Sequence, residues 1–328
     1  MNLIPHPSWA IRDPSKLDDY ITCPRKFFFS HILGWQPEHH RHDLFFGECW
    51  HIAREYMLIH GYEDMLGAYG AFLKRYREVL SPETDSLYTP KDPDAVLMAL
   101  AKFAGDPNRC NDLKYNEVLY TEVSGSVPVD EKRVLYFRMD SILRNKEQGY
   151  IFSWDHKTKG GDFNRQWEEK FYLGLQNGTY THCLYCMYPE EMKAGKIKGV
   201  EFCGTSFKYL KRGGSVNPQG YHIGLNRVPA WKSPEQMNVW LWNTIDVLDN
   251  LDRDMDRLYD CKEADPVMMS FQQNPTSCTD YFGCLYHDYC MSWANPLRHS
   301  FEPPLGFISG FWDPREMETT NKMNLEWK

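Results

Sequence analysis

A mixed α/β sheet flanked by helices is the architecture this chain predicts. Helix-periodic segments fill the first hundred residues, alternating segments begin at Asn116, and long helical stretches are interleaved with later strand-like runs. Of the 328 residues, 42% are hydrophobic and 15% aromatic. That is ample material for a core, and it excludes disorder for most of the chain. At about 150 residues per domain, the length suits two units or one decorated unit.

Ser15 is a fair N-cap for the opening stretch KLDDYITCPRKFFFSHILGW, where Leu17, Tyr20 and Ile21 fall at i, i+3 and i+4. The Cys23-Pro24 step interrupts it, because proline has no N–H to continue a helix. The polar run Glu38 to Asp43 reads as a loop. Helices follow over 44–59 and over 62–80, the second with Leu66, Tyr69, Phe72, Leu73 and Tyr76 on one stripe. A third covers 94–103. NEVLYTEVSGSV, RVLYFRMDSILR and YIFSWDHKT then alternate, with a polar break at 145–149, and read as an antiparallel meander. One long helix over 164–187 comes next, then strands in VEFCGTSFKYL and YHIGLNRV. Ser233 caps a last long helix with Met237, Trp240, Ile245, Leu248 and Leu251 at apolar spacing. There is no internal repeat.

Lys and Arg total 37 against 45 Asp and Glu, a net charge of -8. No global cationic field exists to attract nucleic acid, so such a partner needs a local basic groove or a bound metal. The longest apolar runs, such as Phe27 to Phe29, are far too short to span a bilayer. The first residues lack the charged-then-apolar layout of an export signal, which points to the cytoplasm. There, ten cysteines are thiols rather than disulfides, and clustered ones suggest a metal site. Cys278, Cys284 and Cys290 lie six apart, and Cys23 stands alone near the start. Cys49, Cys110, Cys183, Cys186, Cys203 and Cys261 sit in apolar surroundings and are expected in the core.

Chemistry concentrates at Asp155-His156-Lys157, after the apolar run YIFSW. In a strand Asp155 and Lys157 share a face and His156 points away. Asp140, in FRMDSI, comes close to Asp155 if residues 145–149 close a hairpin, and a hard cation such as Mg²⁺ would relieve the repulsion of two carboxylates. Gln176 and Tyr180 stand at i and i+4 on the next helix, able to position a phosphate or water. His51, in FGECWH, is a possible imidazole ligand.

These segments resemble the PD-(D/E)XK nuclease superfamily, and most closely its RecB-like iron–sulfur branch, which includes the AddB nuclease domain and CRISPR-associated exonucleases. The matching stretches are SKLDDYITCPRKFFF, FGECWH, FRMD, WDHK, QNGTY and CTDYFGCLYHDYC, from Ser15 to Cys290. The resemblance implies a restriction-endonuclease-like sheet, with Asp140, Asp155 and His51 as ligands of Mg²⁺ or Mn²⁺ and the His156 carbonyl as a further donor. Lys157 would orient or activate the nucleophilic water, with Gln176 and Tyr180 completing the motif. Glu122 falls where such enzymes often carry an acid on the first strand. Cys23, Cys278, Cys284 and Cys290 would hold a 4Fe-4S cluster tying the ends of the chain together. Two gaps of five residues between the late cysteines are wider than in many relatives, and four thiolates also suit Zn²⁺.

The implied organisation is one integrated domain: a segment over 1–43 with the first cluster cysteine, a helical region over 44–110, the nuclease core over 111–232, and a helix with the cysteine region over 233–328. The implied activity is metal-dependent DNA hydrolysis, with single-stranded ends favoured. The alternatives are a DNA-binding recombination accessory that cleaves weakly and a redox-responsive cluster protein. Polarity, endonuclease action, oligomeric state and any helicase, CRISPR or phage-replication assembly stay open.

Other features have simpler readings. Cys183 and Cys186 have zinc spacing but lie inside a helix, where packing is expected. His39, His40 and His42 fall in a solvated loop. The lysines over 193–198, with Lys208, Lys211 and Arg212, form either a solvated face or a groove that tracks a phosphate backbone. Trp35, Trp50 and Trp154 could stack on bases, although burial is expected of the last two. Trp293, Phe307, Phe311 and Trp312 either wrap the core or form a docking strip.

Overall fold

A computed structural model describes residues 3–38, 41–213, 218–280, 283–315 and 321–326. Strands β1 to β8 span Trp35–Pro37, Asn116–Pro128, Val134–Asn145, Ile151–Gly160, Ile197–Leu210, Gly220–Trp231, Phe307–Ser309 and Asn321–Asn324. Helices α1 to α6 span Pro14–Thr22, Pro24–Phe27, His42–His60, Met65–Tyr76, Pro93–Gly105 and Asp112–Tyr115. Helices α7 to α11 span Arg165–Tyr172, Leu175–Met187, Pro189–Lys193, Pro234–Asp260 and His287–Ser292. Among the described residues no helix is long and apolar enough to cross a membrane.

The chain divides into two compact units. One comprises residues 1–39, 126–137 and 235–318, and the other 40–125, 138–234 and 319–328. In the first, Asp13 caps α1, accepting from the backbone N–H groups of Ser15 at 2.8 Å and Lys16 at 3.2 Å, with Pro14 at the first helical position. The cap is therefore Asp13 and not Ser15. A carboxylate there also faces the positive end of the helix dipole. The chain breaks at Cys23 and restarts at Pro24, as the Cys-Pro step predicts. Phe27 stacks on Phe271, and Phe29 stacks on Trp35 and Tyr286, forming an aromatic core. The late aromatics join this unit: Trp293 packs edge-on to Trp35, Phe307 tilts over Tyr286, Phe311 stacks on His6, and the Trp312 Nε1 donates to Asp13. Of the two expectations for that tail, it wraps the core.

The second unit carries the mixed sheet, as the sequence predicts. Its order is β6-β5-β4-β3-β2-β8, with β4 parallel to β5 and antiparallel to β3, and β5 antiparallel to β6. Side chains of β4 alternate between the two faces. Phe152 and Trp154 join the core built by Phe46, Trp50, Ala53 and Met57 of α3, Phe72 of α4 and Ala99, Leu100 and Phe103 of α5. The opposite parity, Asp155 and Lys157, faces α8. Trp35, Trp50 and Trp154 are all buried, which removes them as base-stacking platforms.

The single helix expected over 164–187 is instead two, α7 and α8, parted at Leu173-Gly174. Gly174 takes an extended ψ of 144°, and the turn re-aims α8 so that its second residue, Gln176, reaches the sheet. Under α7, only a glycine fits at 204: a Cβ there would collide with the rings of Trp167 and Phe163. Cys110, expected in the core, is exposed, and Cys186 is half-buried. Cys183 is buried and its thiol is pushed far up by burial, consistent with packing.

Candidate active site

The Asp155 carboxylate and Lys157 ammonium lie side by side on β4, 2.7 Å apart. The β3–β4 register pairs Ser141 with Trp154, so the next position sets Asp140 opposite Asp155. Asp140 accepts from the His156 backbone N–H at 2.6 Å. The helix α3 delivers His51, whose Nε2 donates to the His156 carbonyl at 2.6 Å while its Nδ1 lies 3.3 Å from Asp140. From α8, Gln176 accepts from Lys157 at 3.0 Å and donates to Asp155 at 3.1 Å and to the Tyr180 hydroxyl at 2.9 Å. Tyr180 in turn donates to the Arg138 carbonyl. Every site residue expected in this region is thus within one connected cluster of the second unit.

The electrostatics follow from crowding. Burial would raise Asp140, but the His51 imidazolium and the His156 N–H outweigh it and hold this carboxyl below the ordinary range. Burial and the Asp140 charge push Asp155 up, with Lys157 opposing them. Against its own burial, His51 is pushed up to about 9 by Asp140. Burial and Asp140 push Glu122 up to about 7, with Arg138 opposing at 2.7 Å. The His156 ring points away from this cluster; burial and then the Arg54 charge depress it, and neither ring nitrogen has a partner among the described residues.

Donor atoms of His51, Glu122 and Asp140 all lie within 4.8 Å of one another. An imidazole with two carboxylates suits a divalent cation, and the charged His51 ring, lying between two oxygens, occupies the role such an ion would take. The donor set therefore fits a divalent cation. Glu122 is held with φ at +45°, a left-handed conformation that costs a side-chain-bearing residue of order 1–3 kcal/mol and recurs at functional sites. Its counter-ion Arg138 was the residue missed by inspection of the sequence. The signal was present, since Arg138 and Asp140 stand at i and i+2 on one strand face.

The family model of the PD-(D/E)XK nuclease superfamily matches residues 14–291. The chain belongs to this superfamily. Among curated proteins, none matches this nuclease. Among solved structures, the chain is similar to the crystal structure of SSO0001, at 13% identity and a TM-score of 0.23, covering 71% of the nuclease and 82% of the other chain.

The first unit of the nuclease gathers the four clustered cysteines. Asn274 donates its backbone N–H to the Cys23 sulfur at 3.4 Å, and its carbonyl accepts from the Cys278 thiol at 3.9 Å. The Cys284 N–H donates to the Cys278 carbonyl at 2.9 Å, closing the turn between them. Burial pushes Cys290 up to about 11, with the charges of Cys23, Cys284 and Cys278 adding to it against Arg25. Four cysteine sulfurs are the donor chemistry that a thiophilic metal would need.

Of the remaining features, His39 and His40 lie outside the described residues. His42, expected in a solvated loop, instead opens α3, where it is half-buried, bonds the Tyr76 hydroxyl and stacks on Tyr88. Lys193 pairs with Glu190 and Lys208 with Asp162, the solvated-face reading of those patches.

Proposed function

We propose that the chain is a Mg²⁺- or Mn²⁺-dependent deoxyribonuclease that hydrolyses phosphodiester bonds from the ends of single-stranded DNA. One observation carries the reading: the unbroken run of contacts from Tyr180 through Gln176 to Asp155 and Lys157, beside His51, Glu122 and Asp140. His51, Asp140, Asp155, Glu122 and the His156 carbonyl would hold the ion. When bound, it supplies a Lewis acid for the scissile phosphoryl group. Lys157 has three N–H donors; Asp155 and Gln176 take two, and the third is left to hold the attacking water or a phosphate oxygen. Gln176 spends both amide protons, on Asp155 and Tyr180, so its carbonyl can only face Lys157. Tyr180, pushed far up by burial and then by Asp155 and Asp140, stays a neutral hydroxyl that accepts from this amide and donates to the Arg138 carbonyl, which locks the amide in place.

The reading extends to the RecB-like branch, with Cys23, Cys278, Cys284 and Cys290 holding a 4Fe-4S cluster. Cys23 and Cys278, both bonded to the Asn274 backbone, support it, and Zn²⁺ is the other ion that four thiolates suit. The chemistry of such a centre is structural here: it ties distant parts of the chain.

The activity is tested with end-labelled linear and closed circular single-stranded DNA, in Mn²⁺ or Mg²⁺ with an EDTA control. The linear strand is expected to shorten, the circle to persist and EDTA to stop the reaction. Cutting of the circle would overturn the end requirement, and no cleavage of either substrate would overturn the activity.

Affinity for the divalent ion is expected to rise between about pH 6 and about pH 9, because His51 and Glu122 must lose protons to bind it. The sign follows from both groups being raised: at lower pH protons hold the ligands, and each proton lost as pH climbs frees a site for metal. Calorimetry in buffers of different ionisation enthalpy reads the protons released. An affinity flat across that range removes these two residues from the ligand set.

A further inference from the structure

Arg25 follows the Cys23-Pro24 step and is only 4% exposed. Its backbone N–H donates to the Gln272 carbonyl at 3.1 Å and its Nε to the Phe271 carbonyl at 2.9 Å. The Nη1 group is buried and has no hydrogen-bond partner among the described residues. A guanidinium cannot escape burial by releasing its proton, so it needs an anion close by. Leaving such a charge uncompensated costs several kcal/mol. The acidic groups that act on Arg25 are the thiols of Cys290, Cys23 and Cys261, with no carboxylate among them. A thiol that carries no charge offers a cation little. Metal-bound thiolates are permanently anionic, and four of them around a 4Fe-4S core or a zinc ion leave a net charge of about −2.

We propose that Arg25 is the internal counter-charge of the four-cysteine centre, its unpaired Nη1 donating to a thiolate sulfur. The inference rests on the reading that these cysteines bind metal, and adds a residue that sets the properties of the centre without ligating it. The guanidinium is charge-matched to a loaded centre and mismatched to an empty one, so Arg25 couples the folding of this segment to metal loading. In an iron–sulfur centre it has a second effect. Reduction adds a negative charge, which a fixed neighbouring cation stabilises, so Arg25 raises the midpoint potential.

The test uses the full chain with iron–sulfur centre reconstituted, as wild type, Arg25→Gln and Arg25→Lys. Iron and sulfide content are measured, and the visible absorption near 400 nm is followed in a dye-mediated redox titration. At a fixed potential the reduced-to-oxidised ratio of Arg25→Gln is expected to fall about tenfold, a downward shift of about 59 mV for a one-electron couple. Arg25→Lys, which keeps the charge, is expected to restore most of it. A fully loaded Arg25→Gln that titrates like the wild type overturns the proposal. If Arg25→Gln does not fold, Arg25→Lys decides: a potential near wild type supports the counter-charge, and a tenfold fall in the ratio overturns it. A wild type that is colourless and contains zinc refutes the iron–sulfur reading alone. The Arg25 inference is then read from zinc release to a chelator, with about tenfold faster release from Arg25→Gln supporting it and equal rates overturning it.

Discussion

Lys157→Ala is expected to lower phosphodiester cleavage by at least a factor of about 100 to 1,000, the loss typical of removing one preorganised donor from a developing oxyanion. The folded state is expected to survive. Asp155 loses its ion pair at 2.7 Å but keeps the Gln176 amide at 3.1 Å, and burial with the Asp140 charge already pushes its carboxyl toward the protonated form. Proton uptake by Asp155 therefore disposes of the charge that the missing ammonium leaves behind. Cleavage of end-labelled DNA, compared with circular dichroism melting of the same preparation, separates the two effects. A folded variant with undiminished cleavage would remove Lys157 from the site, and Asp155→Ala provides the matching test from the other side of the pair.

Cys278→Ser is expected to cost the first unit much of its stability. Under the metal-centre reading, Cys23 and Cys278 close a loop of about 255 residues. A crosslink of that span contributes about 5 kcal/mol in a chain-entropy estimate. Whole domains are stable by only about 5–15 kcal/mol, so losing the closure is comparable to losing the fold. The variant should lose its metal and melt well below the wild type, with fluorescence of the Trp35 and Trp293 pair as a local reporter. Unchanged metal content and melting would show that Cys278 ligates nothing.

Much of the architecture was legible because its signals are local. Phe72 and Tyr76 of the α4 stripe are buried, with Tyr69 and Leu73 packed beside them, whereas Leu66, expected on the same stripe, is exposed; the Cys-Pro break is set by the missing N–H of proline. What was not legible depends on tertiary geometry. The parallel pairing of β4 with β5 has no sequence mark, since the same alternating run serves either direction. Leu173-Gly174 sits in an otherwise helical pattern, and one glycine is tolerated in many helices; the break is imposed by the need to bring Gln176 to Lys157. At α1, Asp13 followed by Pro14 is a stronger start signal than Ser15, and the helix begins there. At the site, i and i+2 spacing anticipates the side-by-side placement of Asp155 and Lys157, and the hairpin anticipates Asp140 opposite Asp155, while their roles come from the resemblance. The left-handed backbone of Glu122 was not legible, because no residue type announces it. Cys110, expected in the core, is exposed, and its neighbours Asn108, Arg109, Asn111 and Asp112 are the polar company of a surface position.

The first unit is assembled from three separated stretches of chain, 1–39, 126–137 and 235–318. At translation rates of about 5–20 residues per second, Cys23 leaves the ribosome on the order of tens of seconds before Cys278. Throughout that interval α1 and α2, with Phe27, Phe28 and Phe29, are without their later aromatic neighbours Phe271 and Tyr286. Nascent chains would thus carry an unmated greasy segment for most of their synthesis, making the newborn protein a client for chaperones that shield such segments, and making premature termination upstream of residue 278 more damaging than its distance from the β4 residues suggests.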